Sequence, residues 1–117
     1  MRVLVVDDDQ AMCETLAAYL GRRGFSVEWR TSAREALSLL DGKDFDVLLT
    51  DLVMNDMDGL ALCERAVAMR PGLPVIVTSA FGTPDIEAAA LSAGALEFMT
   101  KPFDLDRLGL ALRRRAR

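Results

Sequence analysis

The chain has no histidine among its 117 residues. A histidine-based catalytic triad and a histidine-ligated metal are therefore excluded. Cysteine is scarce. Cys13 and Cys63 lie in helix-like segments without metal-type spacing. They read as buried thiols of a reducing cytoplasm rather than as a disulfide. No apolar run approaches the roughly 20 residues that a membrane span needs. The opening "MRVLVVDDD" is too short an apolar stretch for a signal peptide, and acids follow it at once. Basic residues are not in excess, since the net charge is -4, so the domain itself presents no nucleic-acid-binding surface. There is no repeat, low-complexity tract or internal linker.

What remains is an ordinary soluble composition, 51% hydrophobic and 27% charged. It fits a single domain over 1–117. Short apolar runs alternate with helical patterns. Strands are predicted over 2–6, 25–30, 45–50, 73–79 and 95–100. The first reads as buried on both faces because "RVLVV" is β-branched and does not alternate. A helix over 10–23 places Met12, Leu16 and Leu20 on one face, with Gly24 to stop it. Ser32 and Glu35 match a capping box, followed by a stripe of Ala33, Ala36, Leu37 and Leu40. Leu60, Cys63 and Val67 give the next helical face, broken by Pro71-Gly72. Thr83-Pro84 reads as an N-cap with proline in the first turn. Ile86, Ala89, Ala90 and Ala93 continue that helix up to Gly94. A last helix over 104–116 turns Leu105, Leu108 and Leu112 inward. Strands alternating with helices imply a parallel sheet with right-handed crossovers and helices on both faces.

Ligands of such a sheet bind beyond the carboxyl ends of its strands. The residues found there are Asp7, Asp8 and Asp9 after the first strand and Asp51 after the third. The fourth strand offers Thr78 and Ser79, and the fifth Thr100 and Lys101. In the flavodoxin-like order 2-1-3-4-5, the first and third strands are neighbours, so Asp7, Asp8 and Asp51 share a pocket. Like charges about 4 Å apart repel by on the order of 4 kcal/mol at a surface-like dielectric. A divalent cation removes that conflict. An all-oxygen site with open positions suits Mg²⁺, and Mn²⁺ satisfies the same ligands. With Lys101 as a fixed cation and Ser79 as a hydroxyl donor, the set suits stabilisation of a transferred phosphoryl group. Asp51 is then a nucleophile. Each signal alone is ordinary turn or cap chemistry, and Asp9 reads as the cap of the first helix. Their joint placement at strand ends is the specific feature.

The segments "VLVVDDD", "DVLLTDLVMNDMDG", "LPVIVTSA" and "FMTKPFD" resemble the receiver domain of two-component response regulators over the whole chain. The resemblance implies a five-stranded flavodoxin-like (βα)5 fold. It implies that Asp51 accepts a phosphoryl group from a sensor histidine kinase, with the histidine on the partner. It implies Mg²⁺ held by Asp8 directly, by Asp7 mostly through water, by Asp51 and by the backbone carbonyl of Val53. Lys101 would bind the phosphoryl group, and Pro102 would follow a cis peptide. Ser79, followed by Ala80, matches the switch hydroxyl, while alternation turns Thr78 to the opposite face. Phe98 stands at the aromatic switch position. The chain departs from the family pattern at Asn55, where proline is common, and at Cys13, where arginine is frequent. Phe98 also lacks the hydroxyl of a tyrosine.

The "KPFD" ending and the basic tail "LRRRAR" are most similar to receivers of multidomain transcriptional activators. An output domain is therefore expected beyond the last helix (104–117) on the full-length chain. Phosphorylation is expected to reshape the face formed by the fourth helix, fifth strand and last helix, and to drive homodimerisation through it. Such a domain is no enzyme towards external substrates and catalyses only its own phosphorylation and dephosphorylation. Two rivals are a pseudo-receiver, which docks partners without phosphorylation, and an aspartate-nucleophile phosphatase. The intact set Asp7, Asp8, Asp51, Ser79 and Lys101 argues against the first. Val53 argues against the second, because such phosphatases need an acid two residues past the nucleophile.

Overall fold

A computed structural model describes residues 1–116. Strands and helices alternate without exception. They run β1 (Arg2–Val6), α1 (Gln10–Arg22), β2 (Ser26–Arg30), α2 (Ala33–Gly42), β3 (Val47–Asp51), α3 (Gly59–Met69), β4 (Val75–Ser79), α4 (Pro84–Ser92), β5 (Glu97–Thr100) and α5 (Leu105–Arg115). The five strands form one parallel sheet in the order β2-β1-β3-β4-β5. The expected flavodoxin-like topology is what the chain adopts. Its consequence is that β1 and β3 lie side by side, with Val6 in register with Thr50. The residues just beyond them, Asp7 and Asp51, emerge at one edge.

The central strands are apolar on both faces because both faces are covered. Leu4, Val6, Leu48, Val75 and Val77 face the layer of α2, α3 and α4. Val3, Val5, Val47, Leu49 and Ile76 face α1 and α5. Each helix has a side chain at its N-cap. Asp9, Ser32, Asp58, Thr83 and Asp104 accept from backbone amides of the first turns. Gly24 and Gly94, at φ 91° and 114°, take the left-handed conformation that follows α1 and α4. No helix is long and apolar enough to cross a membrane among the described residues.

Several inward faces differ in detail from the periodicity. In α1 the fully buried side chain beside Leu16 and Leu20 is Cys13, and Met12 is only half-buried. In α3 the face is Leu62, Cys63 and Ala66, whereas Leu60 and Val67 flank it. In α4 only Ala90 is buried, so this helix rests on the sheet by a narrow contact. In α5 the inward residues are Leu108, Gly109, Ala111 and Leu112, with Leu105 half-buried. The cause is common to all. A helix seated on a twisted sheet presents a stripe whose azimuth is set by the packing partner, and neighbouring apolar positions compete for it.

Candidate functional site

The site lies at the carboxyl edge of the sheet. Asp7 leaves β1 while its amide still donates to the Arg30 carbonyl at 3.2 Å, which keeps its backbone in the ladder. Asp51 is the last residue of β3, and the following Leu52 amide donates to the Thr78 carbonyl at 2.8 Å. Lys101 follows β5 directly, and its amide donates to the Ser79 carbonyl at 2.7 Å. The backbone thus fixes these side chains before any ligand arrives.

Asp7, Asp8 and Asp51 each offer one carboxylate oxygen, and these oxygens lie within 4.8 Å of one another. Asp7 and Asp51 are buried, and Asp8 stands at the rim. The Lys101 side chain is only 19% exposed, and its ammonium bridges the two buried acids. Its Nζ donates to Asp7 Oδ2 at 2.7 Å and lies 3.4 Å from Asp51 Oδ2. The shorter bond goes to Asp7, so Asp51 is the less compensated carboxylate. Its Oδ1 accepts from the Leu52 amide at 2.9 Å. Burial pushes the Asp51 carboxyl above the ordinary aspartate range; Lys101 opposes the rise and Asp7 adds to it. Burial opposes the Lys101 charge, but the bond to Asp7 and the fields of both acids hold its pKa above that of a free lysine. Lys101 therefore stays charged at neutral pH.

Three carboxylates and one ammonium leave the pocket with excess negative charge. All the donor atoms that converge are oxygens. This donor set fits a hard divalent cation of the Mg²⁺ type, which takes one or two carboxylates and keeps open positions for water and a phosphate oxygen.

Ser79 ends β4 on the adjacent strand, in register with Thr100. It is fully buried, and its Oγ accepts from the Phe81 amide at 3.0 Å. That bond uses an oxygen lone pair and leaves the hydroxyl proton available to donate. Thr78 points to the other face and donates to the Thr50 carbonyl at 3.5 Å. Phe98 on β5 is half-buried and packs against the core layer that includes Ala90 of α4. The Lys101–Pro102 peptide is cis. Two apolar side chains flank the site in the loops after β3 and β4: Val53 is 57% exposed and Phe81 61%. Beneath it, the Cys13 thiol donates to the Asp7 carbonyl at 3.3 Å. Burial, with Asp7 and Asp9 adding, pushes that thiol up to about 11, so it is no nucleophile at neutral pH.

Two supporting residues escape a reading of the sequence. A Cβ on Gly59 would stand 2.6 Å from both the Asp51 carbonyl oxygen and Leu52 Cα. Only glycine lets α3 begin so close to the backbone at the end of β3. The second is Asp56, an exposed loop residue. It accepts from Ser32 Oγ at 2.8 Å and from the Ala33 and Arg34 amides at 3.1 Å. The expected capping role of Ser32 is present, as its Oγ accepts from the Glu35 amide at 3.2 Å. Asp56 takes two further amides of that first turn.

The family model described as the response regulator receiver domain matches residues 3–113. The transcriptional regulatory protein ZraR of Salmonella typhimurium is 40% identical over 106 residues, covering 91% of this chain and 24% of that protein. The chain thus spans about a quarter of that relative's length. Among solved structures, the beryllofluoride-activated NtrC4 receiver domain dimer is 32% identical with a TM-score of 0.93, covering 98% of this chain and 95% of that one. A response regulator from Burkholderia pseudomallei, solved with a phosphorylated aspartic acid and a calcium ion, is 28% identical with a TM-score of 0.89. It covers 95% of this chain and 65% of that one.

Proposed function

The chain belongs to the response regulator receiver family, and from that premise we propose that Asp51 is its phosphoacceptor and that aspartyl phosphorylation is its output switch. The observation that carries this reading is the convergence of Asp7, Asp8, Asp51 and Lys101 at one strand edge. The donor is a phosphohistidine on a sensor histidine kinase, since this chain has no histidine of its own. A carboxylate oxygen of Asp51 attacks phosphorus, the phosphorus–nitrogen bond breaks, and the departing imidazole takes up a proton. The product is an acyl phosphate on Asp51 and a neutral histidine on the kinase.

Asp8, Asp51 and the Val53 carbonyl would hold Mg²⁺, with Asp7 acting mostly through water; Mn²⁺ suits the same oxygens. The cation supplies charge neutralisation for the transferring phosphoryl oxygens. Lys101 contributes a second positive charge. It is already tethered by Asp7 at 2.7 Å, so little side-chain entropy is lost when a phosphoryl oxygen replaces Asp51 as its neighbour. Ser79 donates its free hydroxyl proton to the same group.

The new phosphate adds about 1.5 to 2 negative charges. Ser79 moves toward it, and Phe98 turns into the space released beneath α4. That helix is suited to yield, because Ala90 is its one fully buried residue. The face of α4, β5 and α5 then pairs with a second copy, and Leu91, Leu96 and Leu110 are exposed on or beside these elements. Driving such an equilibrium from mostly off to mostly on takes roughly 5.5 kcal/mol of differential binding. Phosphoryl contacts and the dimer interface supply this together. We place the domain in the cytoplasm, over 1–117, with a transcriptional output domain following α5 in the full-length chain. It acts on no external substrate and catalyses only its own phosphorylation and dephosphorylation.

Beryllofluoride, which imitates a phosphoryl group on a carboxylate, tests this reading. With Mg²⁺ present it should bind the domain and shift its sedimentation to that of a dimer. Asp51→Ala should abolish both effects. Binding that survives in Asp51→Ala would assign the acceptor elsewhere.

A further inference from the structure

The loop between β3 and α3 carries the proposed metal ligand Val53, whose carbonyl can serve a cation only where the loop is held in place. Asn55 provides no ring to fix φ, as a proline would. The far end of the loop is anchored at α3. The Gly59 amide donates to the Leu52 carbonyl at 2.9 Å, and Asp58 Oδ1 accepts from the Leu60 amide at 2.9 Å. Between these points and Asp51, the Leu52 amide bonds to β4 and Met54 is buried in the core, and the loop's polar side-chain anchor to a different element is Asp56.

Asp56 is exposed, yet its carboxylate accepts three hydrogen bonds from residues 22 to 24 positions earlier in the chain. Two donors are first-turn amides of α2, and the third is the hydroxyl of that helix's own cap. Charge-assisted bonds of this kind exceed neutral ones in strength, and the positive end of the α2 dipole adds to them. Those bonds hold the carboxyl at about 2, well below its ordinary range. The carboxyl is therefore ionised at any physiological pH. α2 in turn is locked to the sheet by the fully buried Ala33, Ala36 and Leu40. A continuous path of contacts runs from the core through α2 and Asp56 to a position three residues beyond Val53.

We propose that Asp56 is a positioning residue for the metal: by gripping the N-terminus of α2 it holds the 52–58 loop so that the Val53 carbonyl is aimed at the cation. This rests on the metal reading above. Groups that orient a metal ligand through a second contact change affinity by about tenfold or more when removed.

The test is Mg²⁺ titration of the unphosphorylated domain by calorimetry, with amide hydrogen exchange of the metal-free protein as a second readout. Asp56→Ala should weaken Mg²⁺ binding by about tenfold and speed exchange at the Gly59 amide. Asp56→Asn keeps an acceptor oxygen and should lie between the two. Asp46→Ala is the control. Asp46 accepts from the Arg2 amide at 2.7 Å, a tertiary bond that involves none of the proposed metal ligands. It should lower the melting temperature without changing Mg²⁺ affinity. If Asp56→Ala melts lower but binds Mg²⁺ as wild type does, Asp56 is only a structural clamp and the proposal fails. If wild type itself binds no Mg²⁺, the metal reading fails and takes this proposal with it. Should Asp56→Ala not fold, Asp56→Asn and Ser32→Ala carry the same comparison.

Discussion

Replacing the proposed phosphoacceptor should make the metal-free domain more stable. Asp51→Asn keeps the size of the side chain and an oxygen for the Leu52 amide, but removes one charge from an over-acidic pocket. Its neighbours are two carboxylates within 4.8 Å and one ammonium at 3.4 Å. At an effective dielectric of about 20, each repulsion is about 3.5 kcal/mol and the attraction about 5 kcal/mol. Asp8 lies at the rim, so its share is screened further. About 1 kcal/mol of net repulsion remains, and burial of the Asp51 charge adds to it. A gain of about 1 to 2 kcal/mol raises the melting temperature of a domain this size by about 4 to 8 °C. The pH dependence follows in sign. Asp51 titrates above its ordinary range when folded, so the native state holds the proton more tightly than the unfolded chain. Stability from this group therefore falls as pH rises from the ordinary aspartate range through the raised native value. The advantage of Asp51→Asn should be complete at neutral pH and vanish in acid. Mg²⁺ should narrow the gap, since at ten times its dissociation constant it stabilises wild type by about 1.4 kcal/mol. The assay is thermal melting in chelator and in Mg²⁺, at neutral and acid pH. A variant that melts at or below wild type in chelator at neutral pH would refute the electrostatic reasoning.

Three other outcomes follow from the same geometry. Gly59→Ala forces a methyl against the Asp51 and Leu52 backbone and should cost at least about 2 kcal/mol, read as a lower urea midpoint. Ser79→Ala removes the one hydroxyl donor proposed for the phosphoryl group. It should still incorporate phosphate but lose the dimerisation response in sedimentation; an intact response would reassign the switch. Val53 and Phe81 are both apolar and more than half exposed beside the site, so neither can orient a hydrolytic water. The phosphorylated domain should lose its phosphate slowly, and Val53→Glu or Phe81→Ala should shorten its lifetime. A lifetime of seconds that neither change alters would count against this.

The fold was legible because β-branched runs and helical stripes alternate cleanly, and because buried parallel strands carry no polar face. Strand starts were less so. Predicted strands began early at Phe25, Phe45, Leu73 and Ala95, and all of these are buried. Hydrophobicity reports burial under the sheet, not membership of its hydrogen-bonded ladder, so the ladder begins one or two residues later. The site's first-rank residues were legible because strand order alone brings Asp7, Asp8, Asp51 and Lys101 to one edge. Asp56 was not, since a loop aspartate before an Asp-Gly step reads as turn chemistry, and its partners lie 22 to 24 residues away. Gly59 was not either, because a glycine at a helix start reveals nothing of the backbone packed against it.

The most direct measurement is phosphoryl incorporation from a small acyl phosphate donor, followed by intact mass and by reductive trapping of the modified residue. One phosphoryl group should appear in the presence of Mg²⁺, map to Asp51, and be lost in chelator and in Asp51→Asn. Failure of wild type to take up phosphate, or undiminished uptake by Asp51→Asn, would contradict the assignment of Asp51 as the acceptor.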